Sequence, residues 1–184
     1  MSIIQSEYIE TERLMLRRLT PEEYDRLMLK GTDDDIRAFF SFINNEQLRA
    51  EKEKHKKGIT TYYISFLTFH MIEKSSGRII GACGYHTVYQ MHSRAEIGYG
   101  LTLDEDKGKG YMKEALAAII RYGFEIMQLN RIEAFVGPKN APSNKLMEHF
   151  GFVKEGHMRE HYFKEGQLED SLAYGLLKSE YEAR

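Results

Sequence analysis

The spacing of apolar residues changes period several times along this chain, and each change marks an element. In TERLMLRRLT (11–20), Leu14, Leu16 and Leu19 alternate loosely with charged residues, which predicts a strand. PEEYDRLMLKG follows, with Pro21 at its start, acids in its first turn and Gly31 at its end, the marks of a short helix. Ile36, Phe39, Phe40 and Ile43 then recur at helical spacing, behind the acidic run Asp33 to Asp35, which reads as a helix cap and solvated turn. NEQLRAEKEKHKK (45–57) is polar nearly all round, the pattern of a solvated helix or loop.

The middle of the chain is richer in aromatic and β-branched residues. TYYISFLTFHMIEK (61–74) reads as a strand ending at the turn Ser75-Ser76-Gly77, and RIIGACGYHTVY (78–89) resumes as its antiparallel partner. Strict alternation in this second strand places Ile80, Ala82, Gly84 and His86 on one face and Ile79, Gly81, Cys83 and Tyr85 on the other. Tyr62, Tyr63, Phe66 and Phe69 are expected in the core. A strand is expected at RAEIGYGLT (94–102), followed by a glycine turn and an amphipathic helix with Leu116, Ile119, Ile120, Gly123, Phe124 and Met127 along one stripe. RIEAFVG (131–137) predicts another strand, and PSNKLMEHF, opened by Pro142 and stopped at Gly151, a short helix. FVKEGHMREHYFKEG and QLEDSLAYGLL close the chain as two strands meeting near Gly166. This order predicts one α+β domain over residues 1–184, a three-layer α/β/α arrangement around a single sheet.

At 184 residues, with 42% apolar and 29% charged positions, the chain has the size and make-up of an ordinary globular domain and can bury a core without disulfides. Its formal net charge of −2 leaves no basic footprint, so no nucleic-acid partner is expected. Cys83 is the single cysteine, which excludes an internal disulfide and suits a reducing compartment. MSIIQSEYIETERL lacks the basic and apolar regions of a signal peptide, and no apolar run approaches the roughly 20 residues of a membrane span. A cytoplasmic protein without a membrane partner is the expectation. His157 and His161 are four apart in a strand segment and lack an HExxH frame, so no metal is expected.

Candidate chemistry begins in DEDKGKGYMKEALAAIIRYGFEIM (104–127), where a glycine- and lysine-rich turn leads directly into the amphipathic helix. Gly108 and Gly110 let successive N–H groups converge, and those donors, with the positive end of the helix, favour phosphate. Lys107 and Lys109 would add flanking charge. Taken alone, the turn also fits a plain solvated corner. It is not a Walker loop, because no Gly-Lys-Ser/Thr closes it. Nor is it the dinucleotide fingerprint, whose first strand and later acidic partner are missing.

The motifs AEIGYGL, KGKGYMKEAL and YGFEIMQLNRIEAFVGPKNAPSNKLMEHFGFVKEGHMRE, in this order, resemble the GNAT superfamily of N-acetyltransferases, and within it the branch of bacterial ribosomal-protein N-terminal (RimJ/RimL-type) acetyltransferases. TERLMLRRLT resembles that branch's opening strand and GQLEDSLAYGLL its closing one. The resemblance covers most of the chain from Thr11 and is weakest between Asp33 and Tyr62. It implies a mixed, mostly antiparallel GNAT-type sheet flanked by helices, acetyl-CoA as cofactor, an amine acceptor and direct attack in a ternary complex. KGKGYM (107–112) stands where the family carries Q/R-x-x-G-x-G/A. Gly110 matches the central glycine, Lys107 takes the Gln/Arg place, and Met112 replaces the small final residue. The cofactor contacts implied are Lys107, Gly108, Lys109, Gly110, Tyr111 and Met112 in this loop, Tyr99, Gly100 and Leu101 on the strand that pairs the pantetheine, and Asn140 and Ser143. The last two form N-A-P-S, which resembles the branch's Asn-x-x-Ser. A homodimer is also a family expectation, with no interface fixed.

Acetyl transfer from a thioester to an amine needs a neutral amine, a polarised carbonyl, a protonated leaving thiolate and close placement of both reactants. Deprotonating a lysine amine at neutral pH costs roughly 4–5 kcal/mol, and an α-amine only about 1 kcal/mol. Glu96, in AEIGYGL, resembles the glutamate that many family members use as base, directly or through water. Its structural alternative is an ion pair with Arg94 or Arg131. Glu160, in HMREHYF, is a second candidate, although the position where relatives place a carboxylate falls nearer Tyr162. Ser143 is the candidate donor to the departing sulfur, with helix capping as the alternative role for it and for Asn140. Many GNAT enzymes carry a tyrosine one helical turn later, where this chain has Met147. The first-choice acceptor is a protein N-terminal α-amine. The alternatives are a small polyamine or antibiotic amine, and a CoA-binding module without turnover.

Overall fold

Leu14 and Leu16 bury one face of a strand against a long amphipathic helix, and the architecture grows from that contact. The computed structural model describes Ile4 and residues 6–61, 64–164 and 166–184, so the expectation for Tyr62 and Tyr63 lies outside the described residues. Eight strands form one sheet in the order β1-β2-β3-β4-β5-β6-β8-β7: β1 (Tyr8–Glu10), β2 (Leu14–Leu19), β3 (Ser65–Glu73), β4 (Ile79–Tyr89), β5 (Arg94–Leu101), β6 (Arg131–Val136), β7 (Val153–Lys164) and β8 (Gln167–Leu177). Every neighbouring pair is antiparallel except β5 and β6, so the sheet is mixed and mostly antiparallel. The fold is α+β, one sheet flanked by helices.

Helices cover both faces. α1 (Pro21–Lys30), α2 (Asp33–Phe40) and α3 (Asn45–Lys57) bury Tyr24, Leu27, Ile36 and Leu48 with Leu19 and Phe66 on one side. Thr20 and Thr32 open α1 and α2 with capping boxes closed by Glu23 and Asp35, so the acidic run belongs to a helix start whose cap is the threonine before it. α2 stops earlier than the spacing predicts, because Ser41 adopts a left-handed conformation and leaves Ile43 exposed. α3 forms despite its polarity, anchored by Leu48.

On the other side, α4 (Tyr111–Glu125) lays Leu116, Ile119, Ile120 and Phe124 against Leu14, Leu16, Phe69 and Tyr85. Each such buried side chain contributes about 1.5–3 kcal/mol, enough to fix where the helix starts. α5 (Ala141–His149) adds Met147 to this core, and α6 (Lys178–Glu182) stacks Tyr181 on Phe124. β1 and α6 are too short to leave a periodic signal, and the sequence reading contains neither. No helix of the described residues is long and apolar enough to cross a membrane.

Two irregularities in β4 correct the simple alternation. Met71 pairs with Gly81 and Ile72 with Ile79, so Ile80 is an extra residue and joins Cys83 and Tyr85 in the α4-side core. Tyr85 pairs with Ile97 and Thr87 with Glu96, which makes His86 the second extra residue. Parallel pairing between β5 and β6 stops at Glu96 and Glu133. Beyond that point the two strands part, leaving one edge of β5 from Ile97 to Leu101 without a strand partner.

Candidate active site

Two cavities share a wall where the strands part. One, about 710 Å³, is floored by Gly84, Gly98 and Gly100 and reaches Glu96. The other, about 600 Å³, lies at the start of α4. Tyr99, Gly100, Leu101, Asn140 and Ser143 line both.

The loop before α4 builds the second cavity. Gly110 caps the helix at φ +83°, a left-handed conformation that favours glycine, and no side-chain cap replaces it. The first backbone bond of the helix runs from Glu114 N–H to the Gly110 carbonyl, so the N–H groups of Tyr111, Met112 and Lys113 have no partner within the helix. They are the donors an anion needs at a cavity that their own residues line. Two clamps fix the loop. Arg78 donates twice to the buried Asp106, at 2.8 and 2.9 Å. Arg13 donates to the Lys109 carbonyl at 2.9 Å and pairs with Glu114 at 2.7 Å, while the Thr11 hydroxyl donates to the same carboxylate. Met112 turns into the main core and is only 9% exposed, so its bulk stays out of the turn.

At the shared wall, the Tyr99 hydroxyl is buried without a well-formed hydrogen bond, and Ser143 is its polar neighbour. Burial raises the Tyr99 pKa against a smaller opposing effect of Ser143, so the hydroxyl keeps its proton at neutral pH. Asn140 caps α5, its Oδ1 accepting from Ser143 N–H at 3.2 Å. The capping role therefore exists, and it occupies only the oxygen. Asn144 braces this turn by donating to the Gly137 and Asn140 carbonyls and accepting from the Tyr174 hydroxyl. Met147, where the resemblance implies a tyrosine in many relatives, is fully buried.

Glu96 sits on the floor of the first cavity. The bulge carries His86 over Gly98, where a Cβ would come within 2.2 Å of the ring Nδ1, and places His86 Nε2 2.9 Å from Glu96 Oε1. Tyr162, on β7, donates its hydroxyl to the same oxygen at 3.2 Å. Burial pushes the Glu96 carboxyl up, but the hydrogen bonds of His86, Tyr162 and Thr87 outweigh it and hold its pKa below the ordinary carboxylate range. Arg94 and Arg131, the structural partners considered for Glu96, bind Glu133 instead, and Arg131 also clasps Glu155 at 2.5 Å. Glu96 is left ionised, with His86, Tyr162 and Thr87 as its side-chain partners among the described residues.

Residues 13–153, more than half of the chain, match the family model of the acetyltransferase (GNAT) domain. The chain belongs to the GNAT acetyltransferases. It is 34% identical over 190 residues to the uncharacterized N-acetyltransferase p20 of Bacillus licheniformis, across 95% of this chain and 98% of that one. It is 32% identical over 125 residues to the ribosomal protein uS5-alanine N-acetyltransferase of Escherichia coli (strain K12), across 67% and 61%. Mutant forms of the spermidine/spermine N-acetyltransferase SpeG from Vibrio cholerae share the fold with a TM-score of 0.70 at 25% identity, covering 94% of this chain and 99% of theirs. This GNAT chain is accordingly an acyltransferase enzyme of the N-acetyltransferase type.

Most of the residues expected from the GNAT resemblance meet at the two cavities, with two departures. Lys109 does not line the second cavity: its carbonyl serves Arg13 and its ammonium lies 3.9 Å from Asp106. Glu160 does not line the first. It is exposed, at φ +50° in a bulge where 158 to 162 face only 169 to 171, and its N–H is held by Asp170 at 2.8 Å. That bulge aims Tyr162 inward in its place. His157 pairs with Asp170, and His161 packs on Phe135 and Tyr162, so the two histidines serve different contacts. His86 and Gly98 were not singled out from the sequence, because only the bulge brings them together. Gly98→Ala is expected to displace the His86 ring and lower kcat/KM roughly 10- to 100-fold through misplacement of the Glu96 carboxylate. Thiol-release kinetics beside a thermal melt would check that activity falls while the fold holds.

Proposed function

We propose that this enzyme moves an acetyl group from acetyl-CoA to the α-amine of a protein or peptide N-terminus, by direct attack with both reactants bound. The observation that carries this is the pair of cavities meeting at Tyr99, Asn140 and Ser143, one at a helix start with unpartnered N–H groups and the other with a carboxylate whose pKa is held low. The residues fit the cofactor: unpartnered N–H groups of the loop suit phosphates, the open β5 edge suits amide groups, and the buried Tyr99 hydroxyl lacks a good partner. When bound, acetyl-CoA supplies a thioester acyl group.

The chain's own groups do the rest. Glu96, held by His86 and Tyr162, accepts the proton of the incoming ammonium, directly or through a water. Backbone N–H groups on the β5 edge polarise the acyl carbonyl. Ser143 and Tyr99 hold hydroxyl protons at the shared wall, where the leaving sulfur requires one. An α-amine suits a single carboxylate base, because its deprotonation costs only about 1 kcal/mol at neutral pH. The relative that acetylates an alanine of ribosomal protein uS5 supports the same acceptor class. The likeness to SpeG supports a second reading, a small polyamine acceptor.

Free-thiol release from acetyl-CoA, measured against N-terminal peptides, spermidine and aminoglycosides, tests the choice. Turnover with peptides is expected. Turnover confined to spermidine would establish the second reading, and confined to aminoglycosides would replace both acceptors.

A further inference from the structure

The acceptor cavity opens into a side chamber of about 480 Å³, and the two share Phe40, Thr68, His70, Ala82 and His86. The deeper walls are Leu19, Tyr24, Ile59 and Phe66. The carboxylate in this chamber, Glu51, is already engaged. The Tyr24 hydroxyl donates to it at 2.8 Å and Lys54 pairs with it at 3.1 Å. A second ammonium, as a polyamine would bring, finds no uncommitted negative charge here.

His70 sits at the mouth of the chamber, opposite Arg17 in the sheet register. Arg17 lies over the Phe39 ring and donates through Nη2 to the Phe39 carbonyl and to His70 Nδ1. A guanidinium has no acceptor, so Nδ1 must accept and the imidazole proton sits on Nε2. Burial, followed by the charges of Arg17 and Lys54, pushes the His70 pKa down to about 3, so the ring is neutral at working pH. The edges of Phe39 and Phe40 hold its plane. Among the described residues, none accepts a hydrogen bond from Nε2. His70 is thus a fixed, neutral donor facing a chamber whose aromatic and aliphatic wall is Leu19, Tyr24, Phe40, Ile59, Phe66 and Ala82, with Glu51 and Lys54 paired to each other at its side.

We infer that the acceptor is an α-amino carbonyl compound whose carbonyl oxygen takes the hydrogen bond of His70 Nε2–H and whose large apolar side chain fills the Tyr24–Phe66 chamber. This rests on the N-terminal reading and narrows it: the favoured first residue is leucine, isoleucine, methionine or phenylalanine rather than alanine or serine. A polyamine has neither a carbonyl to accept this bond nor an apolar branch to fill the chamber.

The test uses the wild-type enzyme first, so that no variant has to fold. With acetyl-CoA saturating and rates referred to free amine, leucinamide is compared with isoamylamine, which has the same branch without the carbonyl, and Leu-Ala-Ala with Ala-Ala-Ala. The carbonyl is expected to raise kcat/KM roughly 5- to 100-fold, the range of a buried hydrogen bond whose partner goes missing. The leucine side chain is expected to raise it at least about tenfold over alanine. His70→Leu should lower turnover of leucinamide at least about fivefold more than that of isoamylamine, while His70→Gln, which keeps a donor, restores part of that difference. Equal rates for leucinamide and isoamylamine, or for the two tripeptides, would overturn this inference and leave N-terminal acetylation standing. Turnover of spermidine with none of any amino amide or peptide would overturn both.

Discussion

Glu96→Gln is expected to lower kcat/KM for acetyl transfer by about 10²–10⁴-fold, the range of a lost general base. The substitution keeps shape and a carbonyl oxygen for the Tyr162 hydroxyl, and it removes the charge that His86 faces across 2.9 Å. Binding of acetyl-CoA should be unchanged, because Glu96 lines the first cavity and not the second. Stability should change little, since the Arg94, Arg131 and Glu133 cluster beneath does not include Glu96. The pH dependence follows from the direction of the carboxyl shift. A depressed pKa keeps the base form through neutral pH and loses it only as pH falls below the ordinary carboxylate value of 4.5. The rise of kcat/KM toward pH 8 therefore reports the acceptor α-amine, whose free pKa is about 8. Steady-state thiol release with a titration of acetyl-CoA separates these effects. An E96Q enzyme within about threefold of wild type would assign the proton to another acceptor, such as water or His86.

Gly110→Asp is expected to raise the KM for acetyl-CoA by about 100-fold or more. Two effects add. A carboxylate about 5 Å from a phosphate costs on the order of 3 kcal/mol at an effective dielectric near 20. The residue also has to hold φ +83° with a Cβ, a strain of about 1–2 kcal/mol that the free loop relieves by leaving this shape and that binding must restore. The Cβ itself meets only Arg13 Nη2, at 3.4 Å, so the change leaves packing intact and the folded protein can be assayed. Isothermal titration with CoA reads the loss directly. Gly110→Ala serves as the partial control, carrying the strain without the charge. Unaltered CoA affinity in both variants would remove the loop from the cofactor site.

Much of this arrangement was legible because it is local. The loop announces itself by two glycines next to an amphipathic stripe, and Pro142 with Asn140 marks the start of α5. Strand-forming runs and the 3.6-residue stripe from Leu116 to Phe124 need no knowledge of their neighbours. The remainder depends on register. Whether His86 faces Glu96 is set by one extra residue in β4, and no pattern in GACGYHTVY records it. Glu160 and Tyr162 exchange places for the same reason in β7. The tautomer of His70 is fixed by Arg17, 53 positions earlier in the chain, in a pair that exists only once β2 and β3 have aligned. Short contacts along the chain could be read from it, and long ones could not.

The clamp at Arg13 gives the same point a consequence in time. Arg13 and Glu114 are 101 positions apart, and closing a loop of that length costs about 4 kcal/mol of chain entropy before any contact is made. The glycine turn can bend on its own early in folding, yet its final shape waits for the second strand to dock beside the fourth helix. During synthesis, the residues that hold the turn leave the ribosome long before the turn itself exists. The seat proposed for the anion is therefore among the last features of the molecule to mature, and a chain caught half-folded would carry most of its sheet and still lack the shaped turn that the proposed cofactor requires.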